Sequence, residues 1–383
     1  MSQVVNRDER WRLAGLSPLS AVVLLVGTLS ATGIVLSSSH EVRAEEPSTD
    51  VIEYKDHQSL LYWLDSDGKP HDVKTVADWE KRRAHVLANM QVVMGSLPPD
   101  SKKVPLDIRD EGEPVSEPTH IRKKISYAVE AGIRNKAWLF LPKQGRGPKA
   151  AVLCLHQTTG IGKDEPAGLG GNPNLHYALH LAQRGFVTLA PDYPSFGEYK
   201  YDFKAHPDFR SGTMKAIWDN MRAIDLLQTL PDVDDERIGV IGHSLGGHNS
   251  MFTAAFDPRI KAIVSNCGFT RFHKYYGGAL KGWTSDRYMP AINSVYHNSP
   301  DEVPFDFTEI VGVFAPRPFL ASAPVNDDNF EVSGVKDVIA AAQPVYVLYG
   351  KGEQLQANYP ASAHDFPADA RQIAYRFLEK ALR

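Results

Sequence analysis

The sequence predicts an α/β protein built on a mostly parallel sheet with helices on both faces. Three observations predict it. From Ala150 onward, short apolar runs alternate with longer helical patterns, the rhythm of a parallel sheet covered on both sides. Ala150-Ala-Val-Leu-Cys-Leu155 is continuously apolar, as a strand buried on both faces must be. And Ile238 to Ile241 runs into Gly242-His-Ser-Leu-Gly246, followed at once by a helical pattern from His248 to Phe256. Strand, sharp turn and helix with a serine at the apex is the arrangement that pushes a hydroxyl out at the carboxyl end of a sheet.

The elements follow in order. Arg7, Arg10 and Arg12 precede an uncharged apolar stretch from about Leu16 to Leu36, and Val42-Arg-Ala44 has the small-x-small form of a cleavage site. Residues 1–44 therefore read as a secretory signal peptide. The stretch is nearly long enough to span a bilayer, so a membrane anchor is the alternative, and either way the rest of the chain sits outside the cytoplasm, secreted or periplasmic. Residues 45–103 read as a helical extension, with Trp79, Val86, Met90 and Val93 on one face of a helix that Gly95 and Pro98-Pro99 terminate. Residues 104–383 form the catalytic domain. Val104–Arg109, His120–Val129 and Ala137–Pro142 read as antiparallel strands. Further strands are expected at Phe186–Ala190, Ile260–Ser265, Pro318–Ser322 and Val345–Tyr349, and helices at Leu175–Arg184, Thr213–Leu230 and Ala368–Leu382.

Composition excludes several classes. The 383 residues are 43% hydrophobic and 23% charged, with a formal net charge of −4, so no basic surface suits nucleic acid. Cys154 and Cys267, the two cysteines, make no disulfide framework and read as buried residues at strand ends. His176 and His180 stand four residues apart but lack the glutamate and third ligand of a zinc helix. No metal and no cofactor is expected.

Ser244 is the expected nucleophile. A serine needs a base, and the base an orienting acid. The chain supplies both in the order serine, acid, histidine: Asp327 and Asp328 follow the Pro318–Ser322 strand, and His364 stands in the loop before the last helix. Asp327, the first acid past its strand, is taken as the orienter, with Asp328 the alternative. The oxyanion requires preorganised N–H donors. These are expected from the backbone of Leu245, directly after the nucleophile, and from the loop after the Ala150–Leu155 strand, at Thr158 or, second, Gln157. His156 reads as a polar residue pinning that loop. Tyr193 could line the pocket. An aromatic insertion between Thr270 and Pro300 holds Phe272, Tyr275, Tyr276, Trp283 and Tyr288; it reads equally as a lid or sugar-stacking wall and as a small satellite core.

Leu155-His-Gln-Thr-Thr, Ala190-Pro-Asp-Tyr-Pro-Ser-Phe-Gly, Val233–Gly247, Asp327-Asp-Asn and His364 together resemble an α/β-hydrolase of the dienelactone hydrolase and acetyl xylan esterase-like branch, itself similar to the catalytic domain of prolyl oligopeptidases. The resemblance spans roughly residues 75–383 and implies the α/β-hydrolase fold. It also favours Asp327, because prolyl-peptidase-like relatives use the first aspartate of an Asp-Asp-Asn stretch. Two features depart from it. His156-Gln157 stands where His-Gly is usual, and no repeat or spare length exists for a β-propeller. Small or carbohydrate esters are thus expected as substrates through an acyl-enzyme; a peptidase or dienelactone-type hydrolase is the alternative, and an inactive binding module the reading from another class.

Overall fold

A computed structural model describes residues 52–383. The charged and apolar segment read as a signal peptide or anchor, and the pattern at Val42–Ala44, lie outside the described residues. Among the described residues no helix is long and apolar enough to cross a membrane.

The described chain begins with a hairpin of β1 (Tyr62–Leu64) and β2 (Pro70–Asp72), followed by α1 (Val76–Met94). Thr75 caps α1 in a capping box with Asp78, satisfying donors that the first turn leaves free. The segment from 52 to 103 thus contains strand as well as helix. Then come β3 (Arg109–Asp110), β4 (Val115–Ser116), β5 (His120–Glu130), β6 (Ile133–Pro142), β7 (Lys149–Leu155), α2 (Tyr177–Gln183), β8 (Val187–Pro191), α3 (Gly212–Thr229), β9 (Val233–His243), α4 (Leu245–Phe256) and β10 (Ile260–Asn266). The short α5 (Ala291–Ser294), α6 (Phe307–Phe314), β11 (Phe319–Ser322), α7 (Val332–Leu348), β12 (Leu355–Asn358) and α8 (Ala368–Ala381) complete it.

The main sheet has ten strands in the order β12-β11-β10-β9-β7-β8-β6-β5-β3, with β4 also on β5. From β8 through β7, β9, β10 and β11 to β12 the pairs are parallel; β6, β5, β3 and β4 add an antiparallel edge. This is the α/β-hydrolase architecture that the sequence predicts. Alternation along β7 divides the core. Ala151, Leu153 and Leu155 face one cluster with α1, α3, α4, α6 and α7, while Val152 and Cys154 face a second with α2 and α8, the period of two that a doubly covered strand shows.

Two readings change. Val104–Arg109 is almost entirely irregular, and only Arg109–Asp110 pairs with β5; Pro105, which has no N–H, cannot donate to a ladder. Val345–Tyr349 is no strand. Its first four residues end α7, where Val335, Val338, Ala342, Val345 and Tyr346 are buried at helical spacing, and a short apolar run is ambiguous between a strand and a buried helix. The last strand is instead the polar Leu355–Asn358, legible only as an edge because one neighbour suffices for it.

α1 is bound to the body by a buried ionic link. Arg82 Nη2 donates to Glu309 Oε1 at 2.5 Å and His57 Nδ1 meets Glu309 Oε2 at 2.8 Å, with all three side chains almost fully enclosed.

Candidate active site

The site is assembled at the carboxyl ends of adjacent parallel strands, and their order fixes who meets whom. β9 ends in the elbow that carries Ser244. Backbone φ there is 53° and ψ −118°, a sparsely populated conformation that costs about 1–3 kcal/mol and persists only where the surroundings enforce it. The surroundings are tight. A Cβ on Gly242 would lie 2.2 Å from the Gly246 carbonyl carbon, and one on Gly246 would lie 1.8 Å from the Leu155 oxygen. Both positions exclude any side chain, which is why the pentad needs its two glycines. Ser244 N–H donates to Asn266 O at the end of the neighbouring β10.

Beyond β10 lie β11 and β12, whose exit loops run on together. Ala323 N–H donates to Asn358 O, Val325 N–H to Pro360 O and Asn326 N–H to Ser362 O, at 2.8, 3.0 and 3.1 Å. This zipper delivers Asp327 to His364. Nδ1 of His364 lies 3.0 and 2.9 Å from the two carboxylate oxygens of Asp327. Asp327 Oδ1 also accepts from the backbone N–H groups of Asn329 and Phe330. Burial pushes the Asp327 carboxyl up, but the His364 contact and these two amides outweigh it and hold it below the usual carboxylate value. Asp328, by contrast, is exposed.

The histidine loop is tied back across β10 to the elbow. Asn266 Nδ2 donates to Asp365 O at 3.2 Å and lies 2.6 Å from His243 Nδ1. His243, the residue before Ser244, packs its ring 4.8 Å from that of His364. Burial, then the neighbouring His364, depresses His243 to about 3, so it is a neutral floor beneath the base. Among the described residues Ser244 Oγ and His364 Nε2 form no hydrogen bond; such contacts are often long before substrate arrives. His243 and Asn266 are supports with no separate signal in the sequence beyond position, since each ends a strand beside the elbow, and Cys267, expected as a buried residue at a strand end, follows β10 directly.

On the other side of β9, the loop after β7 reaches the same cavity. The cavity of about 120 Å3 beside Ser244 has Leu245, Thr158, His248, Trp283 and Phe330 in its walls. Gln157 instead donates from Nε2 to Glu165, so its side chain serves the loop. His156 pins that loop: Nδ1 pairs with Gln157 O, and Nε2 accepts from Tyr193 N–H at 2.8 Å. Tyr193 is buried against Phe196 and Leu245, behind the cavity rather than in its wall. The aromatic insertion holds a small core and also reaches the cavity. Phe272 and Trp283 are buried against Phe305 and Phe307, while Tyr275, Trp283 and Tyr288 also line the cavity. A larger cavity of about 500 Å3 lies by Pro98, Phe209 and Trp218, remote in the chain from these groups.

Cys267, Asp327 and His364 offer ligand atoms all within 4.8 Å of one another. The Asp327 contact already occupies His364 Nδ1, and burial pushes the Cys267 thiol up, so the set suits a hydrogen-bonded cluster rather than a metal site. His176 and His180 take separate partners, Gly170 O and Tyr375 Oη.

The family model described as the prolyl oligopeptidase family matches residues 174–382. YtaP of Bacillus subtilis (strain 168), which carries the name of a hydrolase, is 31% identical over 259 residues, covering 64% of this chain and 83% of its own length. A glucuronoyl esterase from Solibacter usitatus superposes with a TM-score of 0.66 at 17% identity, over 87% of this chain and 99% of that one. Acetyl Xylan Esterase 1 from Thermoanaerobacterium sp. JW/SL YS485 gives 0.52 at 16% identity, over 73% and 89%. With a family match spanning more than half its length and a nucleophile elbow at the end of a parallel strand, the chain belongs to the prolyl oligopeptidase family, within the α/β-hydrolases.

Proposed function

We propose that the protein is a secreted serine hydrolase of carboxylic esters, acting on small or carbohydrate-borne esters through an acyl-enzyme. The observation that carries this reading is the Asp327–His364 pair beside the elbow that presents Ser244. In the proposed sequence His364 Nε2 removes the Ser244 Oγ proton as the oxygen attacks the ester carbonyl. Asp327 holds Nδ1–H, fixing the tautomer and stabilising the imidazolium. The oxyanion is received by the N–H of Leu245, at the start of α4, and by that of Thr158. Collapse expels the alcohol, which takes the proton from His364. Water, deprotonated by His364, then releases the acid and frees Ser244.

The ester class is supported by the names of the structural neighbours, a glucuronoyl esterase and an acetyl xylan esterase. The size of the cavity adds to it. A cavity of about 150 Å3 holds a benzene ring, so one of about 120 Å3 admits a short acyl group or the edge of a sugar. Secretion rests on the basic start, the apolar stretch and Val42-Arg-Ala44. Peptide cleavage is the second reading, favoured by the family match. Turnover of p-nitrophenyl acetate by wild type, lost by roughly 10^3-fold or more in Ser244→Ala, supports the esterase. Faster cleavage of prolyl amides than of any ester tested would transfer the assignment to the peptidase.

A further inference from the structure

Two residues that line the Ser244 cavity carry buried polar atoms with no hydrogen-bond partner among the described residues. His248 stands one helical turn after Ser244 on α4, so it shares a face with the nucleophile. It is 1% exposed, and among the described residues neither ring nitrogen has a hydrogen-bond partner. Its ring stacks on Phe252 at 4.1 Å and leans on Trp283 at 4.9 Å. Trp283 Nε1 is likewise buried without a partner. Both residues line the cavity that Ser244 and Leu245 line.

An aromatic box of this kind is ordinarily filled by phenylalanine. An imidazole enclosed without a partner destabilises the fold, because it has lost its water and gained nothing. Two such groups, in contact and in one cavity wall, call for a ligand atom that completes them. Burial depresses His248 to about 3, so the ring is neutral and offers one N–H and one lone pair; Trp283 adds a second N–H. None of the described residues lining the cavity is charged, so a carboxylate would meet no cation there. A hydroxyl both donates and accepts, and can satisfy an imidazole lone pair together with an indole N–H. A carbonyl oxygen can satisfy only the donors.

We propose that His248 and Trp283 form the recognition point for an uncharged hydroxyl of the substrate, carried next to the scissile ester on a neutral sugar. This rests on the ester hydrolysis proposed above and names its substrate class: sugar esters with a free, uncharged hydroxyl beside the scissile group and no free carboxylate there. Tyr275 and Tyr288, in the same wall, supply aromatic surface for the ring.

The test separates binding from turnover. Ser244→Ala protein is titrated calorimetrically with an acetylated methyl xyloside and with its deoxy analogue lacking the hydroxyl beside the ester. The xyloside is expected to bind at least 10-fold tighter than the analogue. Adding His248→Phe should weaken xyloside binding by at least 10-fold and abolish the preference. Trp283→Phe, which keeps an aromatic side chain but loses the N–H together with the pyrrole half of the indole, should weaken it about 3- to 10-fold. The thermal midpoint of His248→Phe should stay level or rise, since an unpartnered polar group has been replaced by an apolar one of similar shape. Equal binding of the two ligands, an unchanged preference in His248→Phe, no binding by the Ser244→Ala protein, or a fallen midpoint each overturns the subsite. The esterase reading is checked apart from this, by p-nitrophenyl acetate turnover with Ser244 intact.

Discussion

At Ser244 the backbone is held at positive φ by neighbours that tolerate no Cβ on either flanking glycine. Gly246→Ala would drive a methyl into the Leu155 carbonyl, on the strand that leads to Thr158. We expect soluble expression to fall and any folded fraction to lose most of its ester turnover. The acid is a sharper case. The sequence favours Asp327 as the first acid past its strand and keeps Asp328 as the alternative, because polarity does not tell which one turns inward. What distinguishes them is a local device. Asp327 Oδ1 caps the N–H groups of Asn329 and Phe330, which turns its carboxylate towards His364, and Asp328 then faces solvent. Asp327→Asn should lower kcat by about 10^3- to 10^4-fold, as loss of the tautomer-fixing acid does elsewhere, while Asp328→Asn should stay within about 3-fold. Stopped-flow or steady-state kinetics on p-nitrophenyl acetate distinguish the two.

At the scale of elements, what could be read from the chain depended on how much each element makes for itself. β7, the second half of β9 and most of β10 are buried on both faces, and the apolar runs at Ala150–Leu155, Ile238–Ile241 and Ala262–Val264 declared them. β12 sits at the edge with Leu355 alone buried, so its signal was weak, and the apolar end of α7 took its place in the reading. The supports of His364 were illegible for another reason. Asn266 acts only because β10 lies between β9 and β11, and strand order is not written in any local pattern. The Arg82–Glu309–His57 link is similar, joining positions more than two hundred residues apart. Arg82→Ala should cost about 3–5 kcal/mol, because it leaves a buried carboxylate with only His57 and the Asp306 N–H as partners, read as a shift of the urea midpoint. His57 adds a pH dependence. Burial alone would lower its pKa, but the charge and hydrogen bond of Glu309, with Asp306 adding, outweigh burial and Arg82 and raise it. The folded value therefore exceeds the unfolded value of about 6.5, so this contribution is full below pH ~6.5 and is lost as pH rises through the folded value. The urea midpoint should decline over that range in wild type and flatten in His57→Gln.

For the whole molecule, the matched family region and the folding unit are different things. Residues 174–382 match the family model, yet β7 (Lys149–Leu155) lies outside that range and sits between β8 and β9 in the sheet. A fragment of 174–382 would have to bring β8 and β9 together without the strand that separates them, and would expose both core faces that β7 divides. We expect it to be insoluble or to lack dispersed amide signals in an NMR spectrum, whereas a chain of residues 52–383 should fold, since the described residues belong to one compact unit.

The aromatic insertion touches both halves of the machinery. Tyr288 Oη lies 3.1 Å from Thr158 Oγ1 on the oxyanion loop, and Tyr276 Oη donates to Asn329, two residues past Asp327. One segment thus bridges two loops that line the cavity beside Ser244, while taking no part in the sheet. Its exposed positions, unlike the buried Phe272, Leu280 and Trp283, can change at little expense to folding, and such changes reach both loops together. Such a segment lets descent try new substrates on an unaltered catalytic frame, and related chains should diverge in what they hydrolyse faster here than at any strand.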